Sequence, residues 1–270
     1  MTTSTETFAG SIAEIYDRLL VPLIFESYAR DLAGRLGKTD PRHVLETAAG
    51  TGVLTRAIAS VLPADARLTA TDFSQPMLDR ARARQGDDKR IRWQQADATA
   101  LPFADQSFDA VACQFGAMFF PDRIKGFKEA RRVLKAGRPF FFNMWDKIAE
   151  NEFGDTVTQA LAAVFPSDPP EFFIRTPHGY HDQKQIRADL TSAGFKDISI
   201  DALEAKSRAH SPLDAAIAYC QGTPLRNEIE SRDALGLEEA TKRVATVLAQ
   251  RFGEGAIEGR IRAYVIAATG

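Results

Sequence analysis

The residues with the densest chemical potential lie in HVLETAAGTGVLTRAI, residues 43–58. An apolar segment leads to Glu46, a turn carrying Gly50 and Gly52 follows, and a helix-like segment comes next. Glycine lets a backbone turn tightly and approach a ligand with no Cβ in the way. A plain strand-to-helix turn would use two glycines equally well. Asp72 lies 20 residues beyond Gly52. A carboxylate at that distance accepts hydrogen bonds from ribose hydroxyls, or complements the dipole of a helix N-terminus. Asp97, followed by ATALPF, is of the type that accepts from an adenine amino group, with the Ala98 N–H reaching a ring nitrogen. Phe73 and Met77 are candidates to pack on the face of a base; core packing is the simpler expectation for Met77 but not for Phe73. An NAD- or FAD-binding oxidoreductase would want GxGxxG, and Thr55 stands where its third glycine belongs. No obvious acid for hydride transfer accompanies the loop.

These residues need elements that bring them to one place. Residues 12–36 have apolar positions at helical spacing, with Pro22 expected to split the segment or start its second helix and Gly37 to end it. Strand-like and helix-like segments then alternate: HVLET, TGVLTRAIASVL with Val53, Leu54, Ala57, Ile58, Val61 and Leu62 facing inward, RLTATD, a helix capped by Ser74, IRWQQAD, SFDAVACQF, DRIKGFKEARRVLKAG and RPFFFNMW. Repeated strand–helix alternation with continuous apolar strands implies a mainly parallel sheet covered on both faces. Ligands of such sheets bind beyond the carboxyl ends of the strands, which is where Glu46, Asp72, Asp97, Gln114 with Phe115, and Trp145 with Asp146 fall. Residues 147–180, with FPSDPPEFF, read as an insertion beside the ligand crevice. A helix capped by Asp182, a strand over KDISIDALEAKS, a helix opened by Pro212, another over residues 237–252 and a final strand GRIRAYVIAATG complete the chain.

Composition narrows the function classes. The 270 residues suit one large α/β domain, or one with an insertion. With 34 Lys and Arg against 36 Asp and Glu, the net charge of -2 gives no general attraction to nucleic acid. Cys113 and Cys220 lack CxxC or metal-ligand spacing and read as buried free thiols, which fits a cytoplasmic compartment. The polar MTTSTETFAGS start does not read as a signal peptide, and no stretch approaches the roughly 18 apolar residues of a membrane span.

Five motifs in order, VLETAAGTG, TATDFSQPML, QQADATALPFADQSFDAV, QFGAMFFPDR and EARRVLKAGR, resemble those of the class I S-adenosylmethionine-dependent methyltransferases, nearest the ubiquinone/menaquinone-biosynthesis C-methyltransferase group. The resemblance is dense over roughly residues 40–145 and looser beyond. It implies a Rossmann-like α/β fold with a seven-stranded sheet, mainly parallel, whose last strand is antiparallel, with helices on both faces. It implies S-adenosylmethionine as cofactor and S-adenosylhomocysteine as product. It gives Glu46 a part in shaping the cofactor loop, and Gly50, Thr51 and Gly52 the passage of the methionine and ribose. Asp72 matches the ribose-binding acid, Phe73 the apolar neighbour of adenine, Asp97 and Ala98 the adenine-edge contacts, and Gln114 the strand end near the methionine. Ala48 departs from the glycine frequent there, and the loop should survive provided Ala48 needs no positive φ. On this reading residues 1–37 are an N-terminal helical lid and 38–146 the cofactor-binding half of a single methyltransferase domain. Residues 147–180 are then an insertion near the acceptor site, and 181–270 a C-terminal half with added helices and the final strand.

Methyl transfer from a sulfonium needs positioning and exclusion of water more than a protein nucleophile. The candidate bases are Asp146, His178 and His181; the histidines, in TPHGYHDQ, read as helix-entry and surface groups. Tyr16 and Tyr28 are candidates for a lid, with buried packing the simpler reading. Phe119 and Phe120, Phe172 and Phe173, and Trp145 suggest an apolar site for a small, partly hydrophobic acceptor. A non-catalytic protein binding S-adenosylmethionine or S-adenosylhomocysteine is the remaining alternative, since the transfer step leaves no fixed catalytic signature.

Overall fold

The computed structural model describes residues 11–232 and 235–270. The part of the expected lid that falls on residues 1–10 lies outside them. In chain order the elements are α1 (Ser11–Ile15), a π-helix (Tyr16–Phe25), α2 (Glu26–Gly37), β1 (His43–Glu46), α3 (Val53–Val61), β2 (Arg67–Asp72), α4 (Gln75–Gln85), β3 (Ile91–Gln95) and β4 (Ala110–Gln114). There follow α5 (Arg123–Val133), β5 (Phe140–Trp145), α6 (Glu152–Val164), α7 (Phe172–Arg175), α8 (Gln183–Ser192), β6 (Asp197–Ala209), α9 (Pro212–Gln221), α10 (Leu225–Glu230), α11 (Leu237–Phe252) and β7 (Ile257–Thr269).

The sheet order is β3-β2-β1-β4-β5-β7-β6. β1 through β5 pair in parallel, and β7 runs antiparallel to β5 with Phe140 opposite Ala268 and Trp145 opposite Ala263. The expected seven-stranded, mainly parallel sheet with an antiparallel last strand is therefore present. The chain forms two compact units. Among the described residues, a sheet unit comprises 26–145, 180–203 and 263–270, and a helical unit comprises 11–25, 146–179, 204–232 and 235–262.

In the sheet unit the alternation of strand side chains decides which helix covers which face. Val44, Leu68, Ala112, Phe141 and Val265 form one face and pack with Leu32, Leu36, Leu54 and Ile58 of α2 and α3. Phe140 and Phe142 point the opposite way, where Phe127 of α5 meets them at ring-centroid distances of 6.0 and 5.3 Å. Val61, expected to face inward, is 43% exposed, because α3 ends there and its inward row closes with Leu62.

In the helical unit α9 packs against α11 and α6. α6, EFGDTVTQALAAV, buries Phe153, Val157, Ala160 and Leu161. It lies within the stretch read from sequence as a loose insertion, where the nearby prolines masked its helical spacing. Pro22 does not split the N-terminal segment. The chain stays helical through it in a wider π-helix, the register in which a residue without an N–H is accommodated. No described helix is long and apolar enough to cross a membrane.

Candidate functional site

The sheet unit builds a ligand loop from the end of β1. The Thr71 hydroxyl donates to the Glu46 carbonyl at 2.9 Å, and the Ala49 N–H donates to the Thr71 carbonyl at 2.9 Å, so the turn is stitched to β2 as it leaves the sheet. Ala48, Gly50 and Gly52 all have positive φ, at 53°, 54° and 79°. The proviso on Ala48 thus fails. An L-residue is strained in this conformation. Gly116, beyond β4, makes room for the Ala48 methyl group: a Cβ there would lie 2.3 Å from the Cβ of Ala48. The two loop glycines have different tasks. A Cβ on Gly50 would meet nothing within 4 Å, so its face is open. A Cβ on Gly52 would lie 3.0 Å from Ala81 and 3.3 Å from Trp93, so Gly52 serves close packing of the helix start.

Two carboxyl groups flank this turn. Glu46 is buried, and its Oε2 accepts from the Thr55 hydroxyl at 2.6 Å. Burial pushes its pKa up to about 8, against the opposing pull of the Thr55 hydrogen bond. Thr55 thus replaces the third glycine of a dinucleotide loop with a hydroxyl that anchors Glu46. Asp72 ends β2 and clamps the turn: Oδ2 accepts from the Gly50 N–H and Oδ1 from the Ser74 N–H, both at 2.8 Å. Burial raises its pKa above the ordinary carboxylate value, and the bonds from Ser74, Gly50 and Phe73 pull it back. Ser74 occupies the expected cap position of α4, but its side chain makes no capping bond.

The buried Thr51 Oγ1 and Ser74 Oγ have no hydrogen-bond partner among the described residues. Unbonded hydroxyls beside a carboxylate clamp and an open glycine face suit a ligand rich in hydroxyl and amine groups. They do not suit pyrophosphate. The Gly50 N–H, which would cradle it, is committed to Asp72, whose carboxylate disfavours an anion beside it.

The remaining candidates fall around the same strand ends. β3 stops at Gln95, and Asp97 lies in the loop beyond it, where Oδ1 accepts the Thr99 N–H at 2.7 Å and its hydroxyl at 2.8 Å. Both bonds end on Oδ1, so Oδ2 keeps its acceptor capacity. Ala98 is half-buried, Phe73 is 44% exposed, and Met77 is buried in the core with Leu78 and Ala81. Gln114 is buried at the end of β4. Next to it Phe115 has φ 50°, a strained value for an aromatic residue that sequence reasoning did not anticipate. Its ring stacks on Trp145 at 3.9 Å, and Tyr28 meets both edge-on at 5.4 Å. Tyr28, fully buried, is therefore a core residue.

The candidate bases separate. Asp146 is buried, its Oδ2 lies 3.3 Å from Arg262 Nε, and its Oδ1 accepts from the Lys147 N–H at 2.7 Å; these bonds make it structural. His178 is buried rather than superficial, with Nδ1 2.7 Å from the Asp146 carbonyl oxygen. His181 is half-buried, beside the α8 cap Asp182. Of the aromatic pairs, Phe119 is exposed in the sheet unit, whereas Phe172 and Phe173 are buried in the helical unit.

The model of the family described as "Methyltransferase domain" matches residues 44–137. The ubiquinone/menaquinone biosynthesis C-methyltransferase UbiE of Geobacter sp. (strain M21) is 38% identical over 203 residues, 70% of this chain and 86% of that protein. A demethylmenaquinone methyltransferase of Clavibacter sepedonicus is 45% identical over 164 residues, 57% of this chain and 66% of that protein. Among solved structures, the YcgJ protein of Bacillus subtilis aligns with a TM-score of 0.56 at 19% identity, covering 88% of this chain and 97% of that one. The [4+2]-cyclase SpnF aligns with a TM-score of 0.54 at 17% identity, covering 90% of this chain and 80% of that one. At those identities the likeness carries the fold alone, and SpnF shows that the fold does not fix the reaction. The reaction class comes from the sequence relatives: the chain belongs to the class I S-adenosylmethionine-dependent methyltransferases, in the ubiquinone/menaquinone-biosynthesis C-methyltransferase group.

Proposed function

We propose that this methyltransferase methylates a ring carbon of a quinone-type acceptor in its reduced, hydroquinone form. The observation that carries the acceptor is the match to relatives named for ubiquinone/menaquinone C-methylation over 86% of their length. The redox state follows from chemistry: a hydroquinone ring is electron-rich enough to attack a methyl carbon, and a quinone ring is not. When bound, S-adenosylmethionine supplies an activated methyl on a sulfonium.

The protein's own residues bind, orient and exclude water. Asp72 accepts from ribose hydroxyls with the lone pairs that its loop bonds leave, while keeping Gly50 in place. Thr51 and Ser74 offer their buried hydroxyls to the same body. Asp97 Oδ2 and the Ala98 N–H read the adenine edge, with Phe73 against its face. Glu46 shapes the turn through Thr55 rather than touching the acceptor.

The reading is tested by incubating the protein with S-adenosylmethionine and a short-chain 1,4-naphthohydroquinone, reduced in one arm and oxidised in the other. Methyl incorporation in the reduced arm alone supports it. Incorporation in neither arm, with transfer to an unrelated amine or thiol, contradicts it.

A further inference from the structure

The segment EARRVLKAGR, spanning the end of α5, supplies no residue to the turn after β1, but two of its side chains grip the loop that carries Asp97 and Ala98. β3 lies at the sheet edge, with β2 and β1 between it and β4, so residues 96–109 cross two strands without a helix of their own. The backbone groups that such a crossover buries need partners from outside it.

Leu101, 5% exposed, is the anchor. Its N–H donates to Glu129 Oε2 at 2.7 Å, and its carbonyl accepts from Arg132 Nη2 at 2.9 Å. Arg132 Nη1 donates to the Phe103 carbonyl and to Asp105 Oδ1, both at 2.7 Å. The same guanidinium clasps Glu129, from Nε to Oε1 at 2.7 Å and from Nη2 to Oε2 at 2.8 Å. These bonds hold the Glu129 carboxyl below its ordinary pKa, so it is ionised at neutral pH. The pair thus gives Leu101 the acceptor and donor that a neighbouring strand would give, with charge-assisted strength. α5 is itself fixed, by Phe127 against Phe140 and Phe142. The path from Leu101 back to Asp97 is short and closed: the Ala100 N–H donates to the Asp97 carbonyl at 3.0 Å, and the Thr99 N–H to Asp97 Oδ1 at 2.7 Å. On the other side the Ala96 N–H donates to the Asp72 carbonyl at 3.0 Å. Asp97 therefore stands between two fixed points, β2 and α5.

We propose that Glu129 and Arg132 are positioning residues for the purine: by holding both backbone groups of Leu101 they set where Asp97 Oδ2 and the Ala98 N–H stand, and so determine the preference for adenine over a 6-oxopurine. The inference rests on the reading of Asp97 and Ala98 as adenine-edge contacts and deepens it. Adenine offers an amino donor and a ring-nitrogen acceptor. Hypoxanthine offers the reverse, a carbonyl oxygen and a ring N–H, so a well-placed carboxylate and backbone N–H reject it. Both α5 side chains are committed to the loop, so they act through Asp97 and Ala98.

The test is calorimetric titration with S-adenosylhomocysteine and S-inosylhomocysteine, which differ in the 6-substituent of the purine. The wild type should favour the adenine ligand roughly 100-fold, the worth of two hydrogen bonds, one of them to a charged group. Arg132→Met keeps a stem of similar length without donors. It should lower the preference to roughly tenfold, through weaker binding of S-adenosylhomocysteine with S-inosylhomocysteine affinity unchanged. Glu129→Gln keeps an acceptor for the Leu101 N–H and should retain most of the preference. A merely structural role would weaken both ligands alike and leave the ratio where it was. A wild-type ratio in Arg132→Met therefore overturns the inference, and a lowered ratio in Asp97→Ala alongside it leaves the adenine reading standing. A wild-type ratio in Asp97→Ala removes that reading and the inference with it. Should Arg132→Met fail to fold, Arg132→Lys, which keeps the charge without the fork, should give an intermediate ratio; a wild-type ratio there overturns the inference equally.

Discussion

Glu46 shows what a single residue contributes beyond its type. Its acidity and place after a strand were legible; its protonation was not, because that depends on complete burial and on Thr55 nine residues away. The unfolded chain releases this proton near the ordinary value of 4.5, whereas the folded protein holds it to about 8. Between those values the unfolded state binds fewer protons, so the contribution of Glu46 to stability falls as pH rises and is constant above about 8. Glu46→Gln retains an acceptor for Thr55 and cannot ionise. Urea unfolding of both proteins should therefore show the variant gaining on the wild type from about pH 5 to about pH 8, and no further gain above. A difference independent of pH would mean that Glu46 is ionised in the folded state. His178 illustrates the opposite failure of legibility. Flanked by polar residues in TPHGYHDQ it reads as surface, and its burial is set by Asp146 and Phe173, which short-range pattern does not expose.

At the scale of elements, the strands and the helix over Leu237–Phe252 were readable, because each carries a clear apolar period over its own length. α6 was obscured by the proline-rich segment after it, and the π-helix by the habit of treating Pro22 as a break. The turns after β1 and β4 were half legible. Sequence marked the first as a ligand loop but could not show that Ala48 is left-handed or that Gly116 exists to receive its methyl group. Gly116→Ala would place a Cβ 2.3 Å from Ala48 Cβ and 2.9 Å from Cys113 Sγ. Overpacking of this kind should destabilise the protein by about 1–3 kcal/mol. Ala48→Gly alone should be near neutral. Relief of about 1–2 kcal/mol of left-handed strain is offset by the added freedom of the unfolded chain. Combined, the two changes should recover at least about 0.5 kcal/mol relative to their sum. Strict additivity in denaturant unfolding would show that the two turns do not depend on each other.

For the whole molecule, the near-balanced charge of -2 is less informative than where charge sits. The Asp72 carboxylate lies at the loop that a dinucleotide fold would reserve for phosphate, and it takes the Gly50 N–H. That arrangement favours a ligand bearing a cation and hydroxyl groups, and it explains why a loop short of one glycine is complete. The clamp by Asp72 is therefore the point on which the account stands. Calorimetric titration of the wild type and Asp72→Ala with S-adenosylhomocysteine, and of the wild type with NAD, tests it most directly. The account predicts binding of S-adenosylhomocysteine but not NAD, and a loss of about 1.5–3 kcal/mol in the variant. Equal S-adenosylhomocysteine affinity in both proteins, or tighter binding of NAD by the wild type, would contradict it.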